Sequence, residues 1–124
     1  MDYLVVFLGG GVGAALRHGV NGLAARTLGA AFPFGTLAVN VVGSLLMGLL
    51  GGYFALRGDP VPGLRLFATT GILGGFTTFS AFSMDAVMLF ERGDPGLAAG
   101  YAAGSVAIAV AALAVGLTIA RGLP

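Results

Sequence analysis

Charged side chains are so sparse along this chain that they delimit it. Apolar stretches lie between Asp2 and Arg17, Arg26 and Arg57, Arg65 and Asp85, and Asp94 and Arg121. The pattern predicts four spans, at about 3–25, 33–55, 66–90 and 96–120, each long enough for a helix to cross ~30 Å of hydrocarbon. None of the runs alternates with period two as barrel strands do, and lipid permits only helices or closed barrels, because backbone groups find no water there. The expected fold class is an all-α membrane protein: residues 1–124 form a single transmembrane domain of four helices.

The connectors carry turn chemistry. Arg57-Gly58-Asp59-Pro60-Val61-Pro62-Gly63 and Glu91-Arg92-Gly93-Asp94-Pro95-Gly96 break helices through glycine and proline, and they share an Arg-Gly-Asp-Pro tetrapeptide that reads as a solvated turn. Pro33 falls at the opening of the second span, where a missing N–H costs little. Glycines recur four residues apart: Gly9 and Gly13, Gly48 and Gly52, Gly71 and Gly75, then Gly96, Gly100 and Gly104. Such spacing predicts close helix packing in lipid. Gly9-Gly10-Gly11-Val12-Gly13 is not a dinucleotide loop, since no strand precedes it and no acid follows at the required distance.

Composition narrows the function classes. Of 124 residues, 57% are hydrophobic, and the charged ones number six basic and five acidic, too few for the shell of a soluble enzyme. Without cysteine and with one histidine, thiolate chemistry and the usual zinc cages are excluded. A net charge of +1 gives no basic stripe, so nucleic acid is not an expected partner. Lysine is absent, and the arginines divide evenly: Arg57, Arg65 and Arg121 on one side of the membrane, Arg17, Arg26 and Arg92 on the other. The positive-inside rule then has no bias to act on, so insertion in both orientations is expected. Dual insertion leads to an antiparallel, dual-topology homodimer, because four short helices alone hardly enclose a polar pathway.

The third span holds the most informative stretch, Gly71-Ile72-Leu73-Gly74-Gly75-Phe76-Thr77-Thr78-Phe79-Ser80-Ala81-Phe82-Ser83. Its helix propensity falls short of alanine by roughly 3 kcal/mol in sum. A break is expected near residue 78, at mid-membrane depth, where discontinuous helices mark ion or substrate sites. Backbone oxygens freed near Gly74 and Thr77 are hard ligands suited to sodium, each copy of a dimer supplying half a cage. Phe76, Phe79 and Phe82 share one face with Ser83, and ring edges attract a small anion weakly. Weak binding suits conduction, since an ion must also leave. Asn40 shares a face with Thr36 and Ser44, and Tyr101 and Ser105 lie four apart on the last span, so both sets offer neutral donors. Interhelical hydrogen bonding explains each of these singly as well. Arg17 is read as a vestibule or structural residue, and Asp85 as a group near the membrane surface or bonded to neighbouring hydroxyls.

Three stretches together resemble the Fluc (CrcB) family of fluoride channels: Gly9-Gly10-Gly11-Val12-Gly13-Ala14-Ala15-Leu16-Arg17, Gly35-Thr36-Leu37-Ala38-Val39-Asn40, and Gly74-Gly75-Phe76-Thr77-Thr78-Phe79-Ser80, in the family's order. The resemblance implies passive, fluoride-selective export through two pores of an antiparallel homodimer in the bacterial inner membrane. It implies a structural sodium ion held by the carbonyls of Gly74 and Thr77. It also implies a fluoride path along Phe79, Phe82, Asn40, Thr36, Tyr101 and Ser105; Ser83, on the same face as the phenylalanines, is read from its position as a further member of that path. His18, Ala81 and Ala109 depart from the family's usual residues, which shortens the expected polar track. A proton-coupled small multidrug-type exporter is the first rival, and it would need a deep acid such as Asp85. A non-transporting assembly subunit is the second. An enzyme is excluded for want of a nucleophile–base pair or paired carboxylates.

Overall fold

A computed structural model describes residues 1–124, and every element in it is helical. The order is α1 (Asp2–Leu28), α2 (Phe34–Arg57), α3 (Leu64–Leu66), a wider-wound π-helical stretch (Phe67–Leu73), α4 (Gly74–Phe76), α5 (Phe79–Glu91) and α6 (Pro95–Gly122). The four pieces from Leu64 to Glu91 make up the third of four membrane-length spans. Each span ends slightly beyond the bound expected from the charges, at Leu28, Arg57, Glu91 and Gly122. Arg26, Arg57 and Arg121 sit inside last turns, where a cation complements the carbonyl end of the helix dipole. Pro33 immediately precedes α2, and Pro95 opens α6. Gly29 and Gly58 stop α1 and α2 with φ of 83° and 74°, a left-handed backbone that strains any residue with a Cβ.

Two crossings organise the bundle. α2 packs most extensively on α6, and α1 lies against the first half of the third span. In the α1 crossing the backbones nearly touch: a Cβ on Gly9 would lie 2.7 Å from the Phe67 carbonyl oxygen and 2.9 Å from the Gly71 Cα. In the other, a Cβ on Gly116 would lie 2.8 Å from the Leu49 nitrogen. These glycines pack as their spacing predicts. Gly96, Gly100 and Gly104 do not, having no neighbour within 4 Å, because α6 meets α2 through its later turns around Leu113, Gly116 and Ala120. The spacing expectation fails there within one chain.

The third span is discontinuous where expected. Thr77 (φ −82°, ψ 156°) and Thr78 (φ −151°, ψ 124°) are extended between α4 and α5. The wide turns before them were not foreseen, since nothing in the sequence pattern distinguishes them from α-helix. Only 18 of 124 residues are buried, so most apolar side chains of the single chain await lipid or another protein surface.

Candidate functional site

Breaking a helix in lipid strands backbone groups that must find other partners. Here Asn40, reaching from α2, supplies two of them. Its Oδ1 accepts the Thr78 N–H at 2.9 Å, and its Nδ2 donates to the Thr78 carbonyl at 3.0 Å. The carboxamide thus pairs with Thr78 as a neighbouring strand would. Thr78 in turn caps α5, its hydroxyl accepting the Ala81 N–H at 3.2 Å. On the other side of the break, the Leu73 carbonyl accepts from both the backbone N–H and the hydroxyl of Thr77. Arg17 donates Nε–H to the Gly75 carbonyl at 3.1 Å, bringing α1 onto the same segment.

These exchanges have a consequence for two carbonyls. In an unbroken helix, Gly74 would accept from Thr78 and Thr77 from Ala81. Both donors are engaged elsewhere, by Asn40 and by the Thr78 hydroxyl. Gly74 is moreover exposed in the single chain.

Beside the break lies a cavity of about 310 Å³ lined by Asn40, Ser44, Thr77, Thr78, Phe79, Phe82, Ser105, Val106, Ala109 and Val110. No ionisable side chain is among them. The Ser105 hydroxyl is the one buried side-chain polar atom of the chain without a hydrogen-bond partner, and the residue is only 5% exposed. Asn40 keeps one Nδ2 proton after its bond to Thr78. Phe79 and Phe82 pack with centroids 5.6 Å apart, and Phe79 remains 78% exposed at this depth. Gly43 admits the Thr77 side chain against α2, since a Cβ there would collide with the Thr77 methyl.

A second, larger cavity of about 530 Å³ opens toward the end of the bundle where α1 meets α2, and Asn21, Thr36, Asp85 and Arg92 line it. Tyr101 lies between the two. Its ring packs on Phe82 at 5.3 Å and edge-on to Phe32 at 5.5 Å, and its hydroxyl donates to Asp85 Oδ2 at 3.3 Å. Asp85 therefore bonds to a neighbouring hydroxyl, one of the two expectations for it. Arg92 spans two connectors, donating to the Ala31 carbonyl at 2.7 Å and pairing with Asp94 at 3.5 Å.

The structure brings Asn40, Phe79, Phe82 and Ser105 together around one cavity. Thr36 belongs to the other cavity, and Tyr101 joins them. Ser83 lines neither, and its hydroxyl donates back to the Phe79 carbonyl at 3.0 Å. Sequence reasoning offered Asn40 as a donor to an anion or as a clamp on a neighbouring helix, without identifying Thr78 as its partner or the two-bond geometry. The available signal was its rarity: Asn21 and Asn40 are the only carboxamides in the chain.

Comparison with known proteins adds an independent finding. Residues 4–117 match the family model described as CrcB-like protein, Camphor Resistance (CrcB). A protein of Nitrobacter hamburgensis named fluoride-specific ion channel FluC 2 is 57% identical over 123 residues, covering 99% of each chain. One of Rhodopseudomonas palustris strain BisB5, named fluoride-specific ion channel FluC, is 58% identical over 123 residues with the same coverage. A FluC of Granulibacter bethesdensis is 52% identical over 123 residues, 99% of this chain and 97% of its own.

Proposed function

The chain belongs to the CrcB family, and from that premise we propose that it is a fluoride-selective channel, a membrane protein without enzymatic turnover that lets fluoride leave the cell down its gradient. The observation that carries the reading is the inner cavity itself. It combines an unpartnered buried serine hydroxyl, a spare carboxamide proton and two phenylalanine rings, with no fixed charge. Such a lining replaces the hydration of a small anion without the deep well that a lysine or arginine would create. A cation would find no carboxylate there, and a proton-coupled exporter no titratable group in the inner cavity.

The active unit is an antiparallel, dual-topology homodimer in the bacterial inner membrane. Support comes from the even arginine distribution and from the bare polar strip of Thr70, Gly74 and Ser80 at the break, which lipid cannot solvate. A second copy covers it. A structural sodium ion fits the same place. The carbonyls of Gly74 and Thr77 have lost their helical donors, and hard oxygens suit a hard cation. When bound, the ion would tie the two broken spans together by charge–dipole attraction. Replacing sodium with a bulky organic cation is expected to lower the thermal stability of the purified dimer, and no change would count against the site.

The channel reading is tested by fluoride efflux from liposomes holding the purified protein. Wild type is expected to release fluoride rapidly, and Phe82→Ile and Asn40→Asp to slow it by at least about tenfold, the effect of losing roughly 1.4 kcal/mol in the rate-limiting step. Unchanged flux in both variants would remove the cavity from the pathway. Absent flux from folded wild-type protein would favour an assembly subunit.

A further inference from the structure

Between the two cavities stands the only carboxylate that meets the pathway. Asp85 lines the outer cavity, and its Oδ2 accepts from Tyr101, whose buried ring packs on Phe82 of the inner cavity. A tyrosine hydroxyl has one proton to donate. While that proton points at Asp85, an arriving anion meets only oxygen lone pairs. Carboxylate oxygen and fluoride are alike in what they ask of Tyr101: both are small, hard, negatively charged acceptors. At 3.3 Å the contact is longer than the ~2.5–2.7 Å of a strong O–H···O⁻ bond, so it is exchangeable.

Resting on the channel reading above, we propose that Asp85 is a positioning residue that acts as a tethered competitor of fluoride. Its carboxylate holds the Tyr101 hydroxyl away from the ion, and neutralising it hands that donor to the pathway. The surroundings leave Asp85 free to play this part. From α1 the same cavity presents Asn21, from α2 Thr36, and from the end of its own helix Arg92; Tyr101 faces it from α6. Arg92 is the only fixed charge among them, and it is engaged by the Ala31 carbonyl and Asp94. No cation lies within ion-pair distance of Asp85. The sign follows directly. An uncharged side chain at this position has a weaker claim on the Tyr101 proton, so removing the charge raises fluoride flux.

The test is fluoride efflux at neutral pH from liposomes holding wild type, Asp85→Asn, Tyr101→Phe or the double variant. Protein-free liposomes supply the background from the neutral acid. Asp85→Asn is expected to be about tenfold faster than wild type, the factor that one charge-assisted hydrogen bond is worth. In a Tyr101→Phe background the same substitution should change nothing, which a merely structural Asp85 would not predict. A proton-coupled exporter would behave oppositely, losing transport with Asp85→Asn. Conducting wild type with an Asp85→Asn variant no faster at neutral pH overturns the proposal. Should Asp85→Asn not fold as a dimer, Asp85→Ser takes its place: a variant faster than wild type only while Tyr101 is present supports the proposal, and one no faster overturns it. Wild type without fluoride flux would instead overturn the channel reading.

Discussion

The third span and α6 are the same length, 28 residues, yet one is broken and the other is not. Glycine content does not explain the difference. α6 holds five glycines, Gly96, Gly100, Gly104, Gly116 and Gly122, whereas the span from Leu64 to Glu91 holds three, Gly71, Gly74 and Gly75. Two things distinguish the broken span. Gly74-Gly75 stands beside Thr77-Thr78, so weak helix formers cluster instead of being spread at four-residue intervals. And Asn40 waits across the interface with both an acceptor and a donor for the stranded Thr78 peptide groups. Poor propensity makes a break affordable; a matched partner makes it stable in lipid.

That contrast can be broken most severely at Asn40. Asn40→Leu keeps the side-chain bulk and removes both partners of Thr78. Two unmet buried peptide groups cost about 2–6 kcal/mol together, so the variant is expected to melt far below wild type in detergent and to conduct nothing. A wild-type melting temperature would show that the clamp is dispensable. A smaller effect is expected at Ser105, which faces the cavity without holding the fold. Ser105→Ala should leave the melting temperature unchanged and reduce fluoride efflux about fivefold, the worth of one neutral hydrogen bond of ~1 kcal/mol. Smallest of all should be Ser83→Ala. That hydroxyl is spent on the Phe79 carbonyl of its own turn, and efflux is expected to change by less than about twofold. A loss as large as that of Ser105→Ala would place Ser83 in the pathway after all.

Much of this architecture was legible in the chain. Eleven formal charges in 124 residues mark out the spans by themselves, and the Gly-Gly…Thr-Thr cluster places the break near residue 78. Legibility stopped where an outcome depends on which helix faces which. Gly9 and Gly96 carry equivalent spacing, but only Gly9 meets another backbone, because α1 crosses the third span there, whereas the start of α6 packs through Ala98 and Tyr101 and leaves its glycine face uncovered. The Asn40 clamp and the Tyr101–Asp85 bond are long-range contacts between side chains 38 and 16 residues from their partners, which periodicity within a helix cannot register. Ser83 makes a local contact that spacing alone does not reveal. It shares a helical face with Phe79, but its short side chain bonds back along that face before it can reach the cavity.

The central claim is that an uncharged cavity beside a clamped helix break carries a small anion and refuses a larger one. Liposomes loaded with both potassium fluoride and potassium chloride, made permeable to potassium and followed with two ion-selective electrodes, test it most directly. The account predicts that fluoride leaves rapidly while chloride stays inside; retention of both ions, or their release together, would contradict it.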